Sequence, residues 1–133
     1  MATVRVVVVT PEKAVLDAAA ASVTLPLFDG ELGVLPGHSA FVGQLGPGEL
    51  RLSPSDGGPA RRFFVDGGFA QVRADVVNVL TARAVPAADV SPAKAAEARA
   101  AAEALPNADP LQRLARDKAL DRARGMERVA GRA

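Results

Sequence analysis

His38 is the one histidine in the 133-residue chain, and with Ser39 beside it the pair reads on paper as a base and a nucleophile. Adjacent residues in an extended segment point to opposite faces, which argues against that pairing. No second histidine and no cysteine is available to share a metal with His38. It stands in a Leu35-Pro36-Gly37-His38 corner, where a ring that caps backbone groups is expected rather than a general base. Asp29 and Glu31 are spaced like paired carboxylates, but acids at a turn accept backbone hydrogen bonds or stay in water. Gly67-Gly68 is followed by neither Gly-Lys-Ser/Thr nor a helix signal, so no phosphate loop is present. The residues therefore predict no catalytic group, no metal site and no cofactor site. The chain is not expected to be an enzyme by itself.

Charge points to a partner instead. The net charge of +1 hides 9 basic against 12 acidic residues over 1–110, and 7 against 3 over 111–133. A basic tail on an acidic body suits a partner with an acidic surface, although a solvated helix face has the same composition. No apolar run approaches the ~20 residues that span a bilayer. The valine-rich start runs into Thr10-Pro11 without a signal-peptide pattern, so the chain is expected to be soluble or peripheral to something else.

Residues 1–85 have the patterning of strands. The β-branched run Val4–Val9 closes at Thr10-Pro11, Ser22–Leu25 alternates, and Arg62–Val65 leads into Asp66-Gly67-Gly68, a hairpin-type signal. Phe69–Arg73 alternates next, Ala74-Asp75 marks a turn, and Val76–Leu80 is a further strand. Short strands between turn signals predict an antiparallel sandwich or flattened barrel. Its expected core includes Val8, Val23, Leu25, Val34, Leu45, Phe64, Phe69, Val72, Val79 and Leu80.

From Pro86 to residue 133 the period is helical. Ser91-Pro92 and Asp109-Pro110 each combine a capping side chain with a proline suited to the first turn. The alanine-rich segment between them lacks β-branched residues. Two helices joined by a short turn form an antiparallel hairpin. On the second, Leu111, Ala115, Ala119, Ala123, Met126 and Val129 fall on one arc with Lys118 and Arg122, while Arg113, Arg116, Arg124 and Arg128 face away. A seam dominated by alanine buries little area, and Gly125 weakens the helix further. The residues leave open whether this hairpin moves or stays packed.

Four separated motifs carry a resemblance. They are Val8-Val9-Thr10-Pro11-Glu12; Asp29-Gly30-Glu31-Leu32-Gly33-Val34-Leu35-Pro36-Gly37-His38 with Pro47-Gly48 after it; Asp66-Gly67-Gly68-Phe69; and Val79-Leu80-Thr81-Ala82. In order and spacing the sequence resembles the ε subunit of bacterial F-type ATP synthases, related to chloroplast ε and mitochondrial δ, over nearly its whole length. The resemblance implies a ten-stranded antiparallel β-sandwich (1–85) followed by a regulatory two-helix hairpin (86–133). It implies a central-stalk rotor component that binds the γ subunit and the c-subunit ring and couples ion-driven rotation to ATP synthesis. Its hairpin would hinder ATP hydrolysis by reaching the α and β subunits. Gly30, Glu31 and Leu32 match the loop that touches the rotor ring, and Pro36, Gly37 and His38 match the corner beside it. Arg113, Arg116, Arg122, Arg124 and Arg128 would face an acidic segment of the catalytic β subunit. The location implied is peripheral, on the cytoplasmic side of the bacterial inner membrane, with membrane contact only through the complex.

Three departures stand out. Ser39-Ala40-Phe41 replaces an alanine, proline and aliphatic sequence, and Asp66 replaces a common serine, a change that looks harmless. Some relatives sense ATP, and here Val90-Ser91-Pro92-Ala93-Lys94-Ala95 lacks the carboxylate and the arginine of that pattern, with Met126 one turn after Arg122. Weak or no ATP binding is expected. The alternative from another class is a free-standing sandwich whose basic helices dock an acidic partner or nucleic acid. Against nucleic acid stand the absence of Tyr and Trp and the lack of a basic stripe on the strands.

Overall fold

A computed structural model describes residues 2–131; Met1, Arg132 and Ala133, at the ends of the two expected segments, lie outside the described residues. Eight strands come first: β1 (Val4–Val9), β2 (Ala14–Ala20), β3 (Ser22–Leu27), β4 (Gly30–Val34), β5 (Phe41–Ser53), β6 (Arg61–Arg73), β7 (Val76–Leu80) and β8 (Ala84–Pro86). A 3₁₀ turn (Ala87–Asp89) leads to helices α1 (Pro92–Glu103) and α2 (Pro110–Gly131). The strand order is β2-β1-β7-β6-β5-β3-β4, with β8 also on β6.

Eight strands stand where the resemblance implied ten, because β5 and β6 each run through a break that would divide them. Leu45 pairs with Gly68 and Pro47 with Asp66, so Gly46 and Gly67 mark the break on the two strands. On one side of it β6 pairs with β7 and on the other with β8, while β3 follows β5 across the break with a register shift between Thr24 and Leu27. The two long strands thus serve both layers and fold the sheet over itself. One pair, β1 with β7, is parallel, against the antiparallel expectation. Val4, Val6 and Val8 of one layer and Val23, Leu25 and Leu52 of the other meet in one buried cluster.

Asp66-Gly67-Gly68 is therefore not a hairpin turn. Gly67 and Gly68 have φ of +73° and +106°, inside β6. A Cβ on Gly68 would run into the Leu80 carbonyl oxygen, so glycine is required by both torsion and space. The break also resets which face each residue takes. Before it Phe63 and Val65 enter the main cluster; after it Ala70 and Val72 do. Phe69 is consequently 57% exposed and Leu80, beside Val79, 56% exposed, correcting two of the expected core positions. The other eight are buried. The true hairpin turn is Ala74-Asp75, where both residues have positive φ.

The helices start where their caps place them. Ser91 Oγ accepts from the Lys94 N–H at 3.1 Å, and Asp109 Oδ1 from the Gln112 N–H at 2.8 Å. The buried face of α2 differs from the expected arc: Leu120, Ala123, Gly125, Val129 and Ala130 are buried, whereas Leu111 and Ala115 are exposed. Arg99 of α1 meets Glu127, and Pro92 and Ala95 lie beside Ala130 and Gly131. α1 thus lines only the C-terminal half of α2, and the first turns of α2 project past it.

Candidate functional site

The turn residues and the corner residues singled out from sequence stand at opposite ends of β4. Gly30, with φ +141°, opens the strand, and Glu31 lies opposite Pro26 of β3. Gly30 and Glu31 are exposed and Leu32 is half-buried. Pro36, Gly37 and His38 follow the other end of the strand, about 17 Å away at ~3.3 Å per residue. The corner is built from backbone bonds: the His38 N–H donates to the Leu35 carbonyl at 3.1 Å and its ring Nδ1 lies 2.7 Å from the Ser39 carbonyl. The Gly37 N–H donates to Asp75 Oδ1 at 2.7 Å, which ties the corner to the β6–β7 turn. Among the described residues, no group of three or more His, Cys, Asp and Glu is placed to hold a metal.

The arginines of α2 do not form one outward face. Arg113 is exposed and approaches the Asn107 carbonyl at 3.4 Å, Arg116 is half-buried, and exposed Arg124 pairs with Asp121 at 3.2 Å. Arg128, expected to face away, donates to the Pro47 carbonyl at 3.3 Å. Arg122 turns to the sheet, its Nε 2.7 Å from Asp66 Oδ2. Lys94, in the sensor-like stretch, donates from Nζ to the Asp89 carbonyl at 3.2 Å.

Several contacts that organise this region carried no local signal. Phe64 is buried with Val90, Val129 and Ala130 in a second cluster that joins the sheet to the hairpin. Glu49 is 4% exposed; Arg62 donates to its Oε2 at 2.6 and 3.0 Å and to the Val129 carbonyl at 3.1 Å. Gly125 lies so close to β5 that a Cβ there would stand 2.5 Å from the Pro47 carbonyl oxygen. Its small size is a requirement of packing, not simply a weakness of the helix. These contacts join residues tens of positions apart, so no window of sequence contains them.

A further surface is left open. Val42, Phe69 and Leu80 are all more than half exposed, on neighbouring strands β5, β6 and β7. Leu80 pairs with both Phe69 and Val9, which makes a continuous apolar row on the outer face of that layer. At the far edge exposed Arg5 and Asp17 pair at 2.6 and 2.9 Å. The hydrogen bond from Arg5 holds the Asp17 carboxyl below its ordinary range, and the same bond raises Arg5.

A chain with this β body and helical pair matches a known family model over residues 3–87, described as the ATP synthase delta/epsilon chain β-sandwich domain. The chain belongs to the ATP synthase delta/epsilon family. It is 49% identical over 127 residues to an ATP synthase epsilon chain of Rhodopirellula baltica, covering 96% of this chain and 98% of that one. An ATP synthase epsilon chain of Bordetella petrii is 44% identical over 109 residues, covering 81% and 77%. Among solved structures, a chain of the Euglena gracilis mitochondrial ATP synthase OSCP/F1/c-ring assembly superposes with a TM-score of 0.85 at 30% identity, covering 96% of this chain and 81% of that one. A chain of the Tetrahymena thermophila mitochondrial ATP synthase central stalk and c-ring shares the fold, with a TM-score of 0.76, 16% identity and 96% coverage of both. Membership in this family makes the chain a non-catalytic subunit of the ATP synthase stalk. No described helix is long and apolar enough to cross a membrane.

Proposed function

We propose that this chain is the ε-type rotor subunit of a bacterial F-type ATP synthase, seated between the γ subunit and the c-subunit ring, with a hairpin that restrains ATP hydrolysis. The observation that carries the reading is near full-length similarity to an ATP synthase epsilon chain, joined to a β body with a separate helical pair. The open row of Phe69, Leu80 and half-buried Val9, with exposed Val42 diagonally beside it, suits an apolar contact with γ, since apolar area of this kind on a subunit marks an interface. The exposed Gly30-Glu31 turn with Leu32 suits the polar loops of the ring, and the Pro36-Gly37-His38 corner is the second stalk contact. Arg113, Arg116, Arg122, Arg124 and Arg128 are the residues for an acidic segment of the β subunit, with α nearby. The subunit would sit peripherally at the cytoplasmic face of the inner membrane.

Two parts of this reading separate in one experiment. The chain is reconstituted with α, β and γ subunits, and ATP hydrolysis is compared for the full chain and for one ending near Ala88. The full chain should co-assemble, and the shortened one should co-assemble and hydrolyse ATP faster. Failure of the full chain to join γ would sink the assignment; equal hydrolysis rates would sink the regulatory role alone.

A further inference from the structure

We infer that Asp66 and Gly125 form a latch that holds the hairpin on the sheet, with Asp66 standing in for the outside carboxylate that Arg122 would otherwise meet. The second half of this statement rests on the reading of the arginines given above. Pro47 of β5 and Asp66 of β6 are direct partners across the sheet, at the break in both long strands. Arg122 and Gly125 are three residues apart on α2 and so lie on one face. The two pairs meet there: Arg122 Nε on Asp66 at 2.7 Å, and Gly125 against the backbone of Pro47.

The two contacts impose different conditions. A Cβ at position 125 would lie 2.5 Å from the Pro47 oxygen and 2.8 Å from its carbonyl carbon. Backbone atoms cannot swing aside as a flexible side chain can, so only glycine lets α2 reach this depth. The Asp66–Arg122 pair fixes the register at that depth, because a slide of one turn along α2 separates it. Both side chains are about seven-tenths buried, at 32% and 28% exposure, so the pair is only partly screened. Lifting α2 off the sheet breaks the pair and frees Arg122 for another carboxylate. The two states of the hairpin therefore compete for one guanidinium.

The test uses the full chain, followed by amide hydrogen exchange over residues 120–130, with β1 and β7 as internal references. Gly125→Ala raises intrinsic helix propensity, so a loss of protection in α2 reports the sheet contact and not the helix. It should speed exchange in α2 by at least about tenfold. Gly131→Ala is the control: its Cβ meets nothing within 4 Å, and exchange should not change. Asp66→Asn should speed exchange by about two- to fivefold, the range for a partly exposed pair. High salt should do the same to the natural chain and add little to the variant. Exchange should recover when Asp66→Arg is combined with Arg122→Asp. Unchanged protection in Gly125→Ala or Asp66→Asn overturns the latch, and so does equal loss of protection in β1 and β7. Because these readings need no other subunit, hydrolysis that ignores the hairpin would remove the regulatory role and leave the latch intact.

Discussion

Phe64→Ala separates the hairpin's packing from the sandwich's own stability. Phe64 is 1% exposed, and it points away from the main cluster that takes its neighbours Phe63 and Val65. Its partners are Val90, Val129 and Ala130, with Val85, Ala87 and Met126 around them. A buried aromatic covers about 150–250 Å², or roughly 4–6 kcal/mol at ~25 cal/mol per Å². Measured Phe→Ala costs run lower, at about 3–5 kcal/mol, because alanine keeps part of the contact and the site settles. Taking about 3 kcal/mol, the ratio of docked to undocked hairpin should fall by roughly a hundredfold. Nearly all of that loss should fall on docking. The assay is limited trypsin digestion of the full chain, which cuts after the arginines of α2, run beside denaturant unfolding of the sheet. Cutting in α2 should accelerate by about two orders of magnitude while the sheet's midpoint stays nearly fixed. Loss of helix and sheet in one shifted transition would refute the reasoning, as would unchanged digestion.

Glu49→Gln should cost about 1.5–3 kcal/mol in denaturant unfolding, since partly buried Arg62 then faces a buried group without charge. Replacing the pair together, Glu49→Leu with Arg62→Met, should recover most of that loss. Gly68→Ala should cost at least about 3 kcal/mol, whereas Gly33→Ala, where a Cβ meets nothing within 4 Å, should stay within about 0.5 kcal/mol; thermal melting of both variants checks the contrast. Arg5→Ala should return the Asp17 carboxyl toward the ordinary carboxylate range, read by carboxyl NMR against pH. Asp17 is lowered in the fold, so whatever stability the pair gives is present above the unfolded pKa and is lost as pH falls through the folded one. The natural chain and the variant should therefore converge in stability below that lowered value. Because both groups are exposed, the melting difference at neutral pH should be small.

What was legible in the sequence was what is local. Ser91-Pro92 and Asp109-Pro110 each place a capping oxygen three residues before the N–H it accepts from, and both helices begin at the proline. Ala74-Asp75 turned β6 into β7 where the strand pattern paused. Gly67-Gly68 has the same composition as a hairpin turn, and only the pairing of β5 with β6 shows it to be a break within one strand. That break also reversed the inward set, which is why Phe69 was misplaced. The arc on α2 failed for a different reason. Periodicity reports which residues share a face, not how much of the helix has a neighbour, and α1 covers only half of α2. Asp66 looked neutral because its partner, Arg122, is 56 residues away. Gly125 looked like a helix weakener because the backbone it touches belongs to β5.

The same geometry explains how the hairpin can be removable without being loose. The main buried cluster draws on β1 to β7, and no residue of α1 or α2 belongs to it. The hairpin is held by a small separate cluster around Phe64 and by polar bonds at Asp66, Pro47 and the Val129 carbonyl. Within the hairpin, Arg99 ties α1 to Glu127 of α2 at 2.8 Å without touching the sheet. Lifting α2 therefore takes α1 with it and removes nothing from the sandwich core. Arg62 would lose the Val129 carbonyl but keep Glu49, whereas Asp66 on the same strand gives up Arg122 and passes from a half-buried pair into water. What departure does expose is the small cluster around Phe64, including Val129 and Ala130 on the α2 side. The cost of opening is thus concentrated in a few named contacts, which is the arrangement a switch between two discrete positions requires.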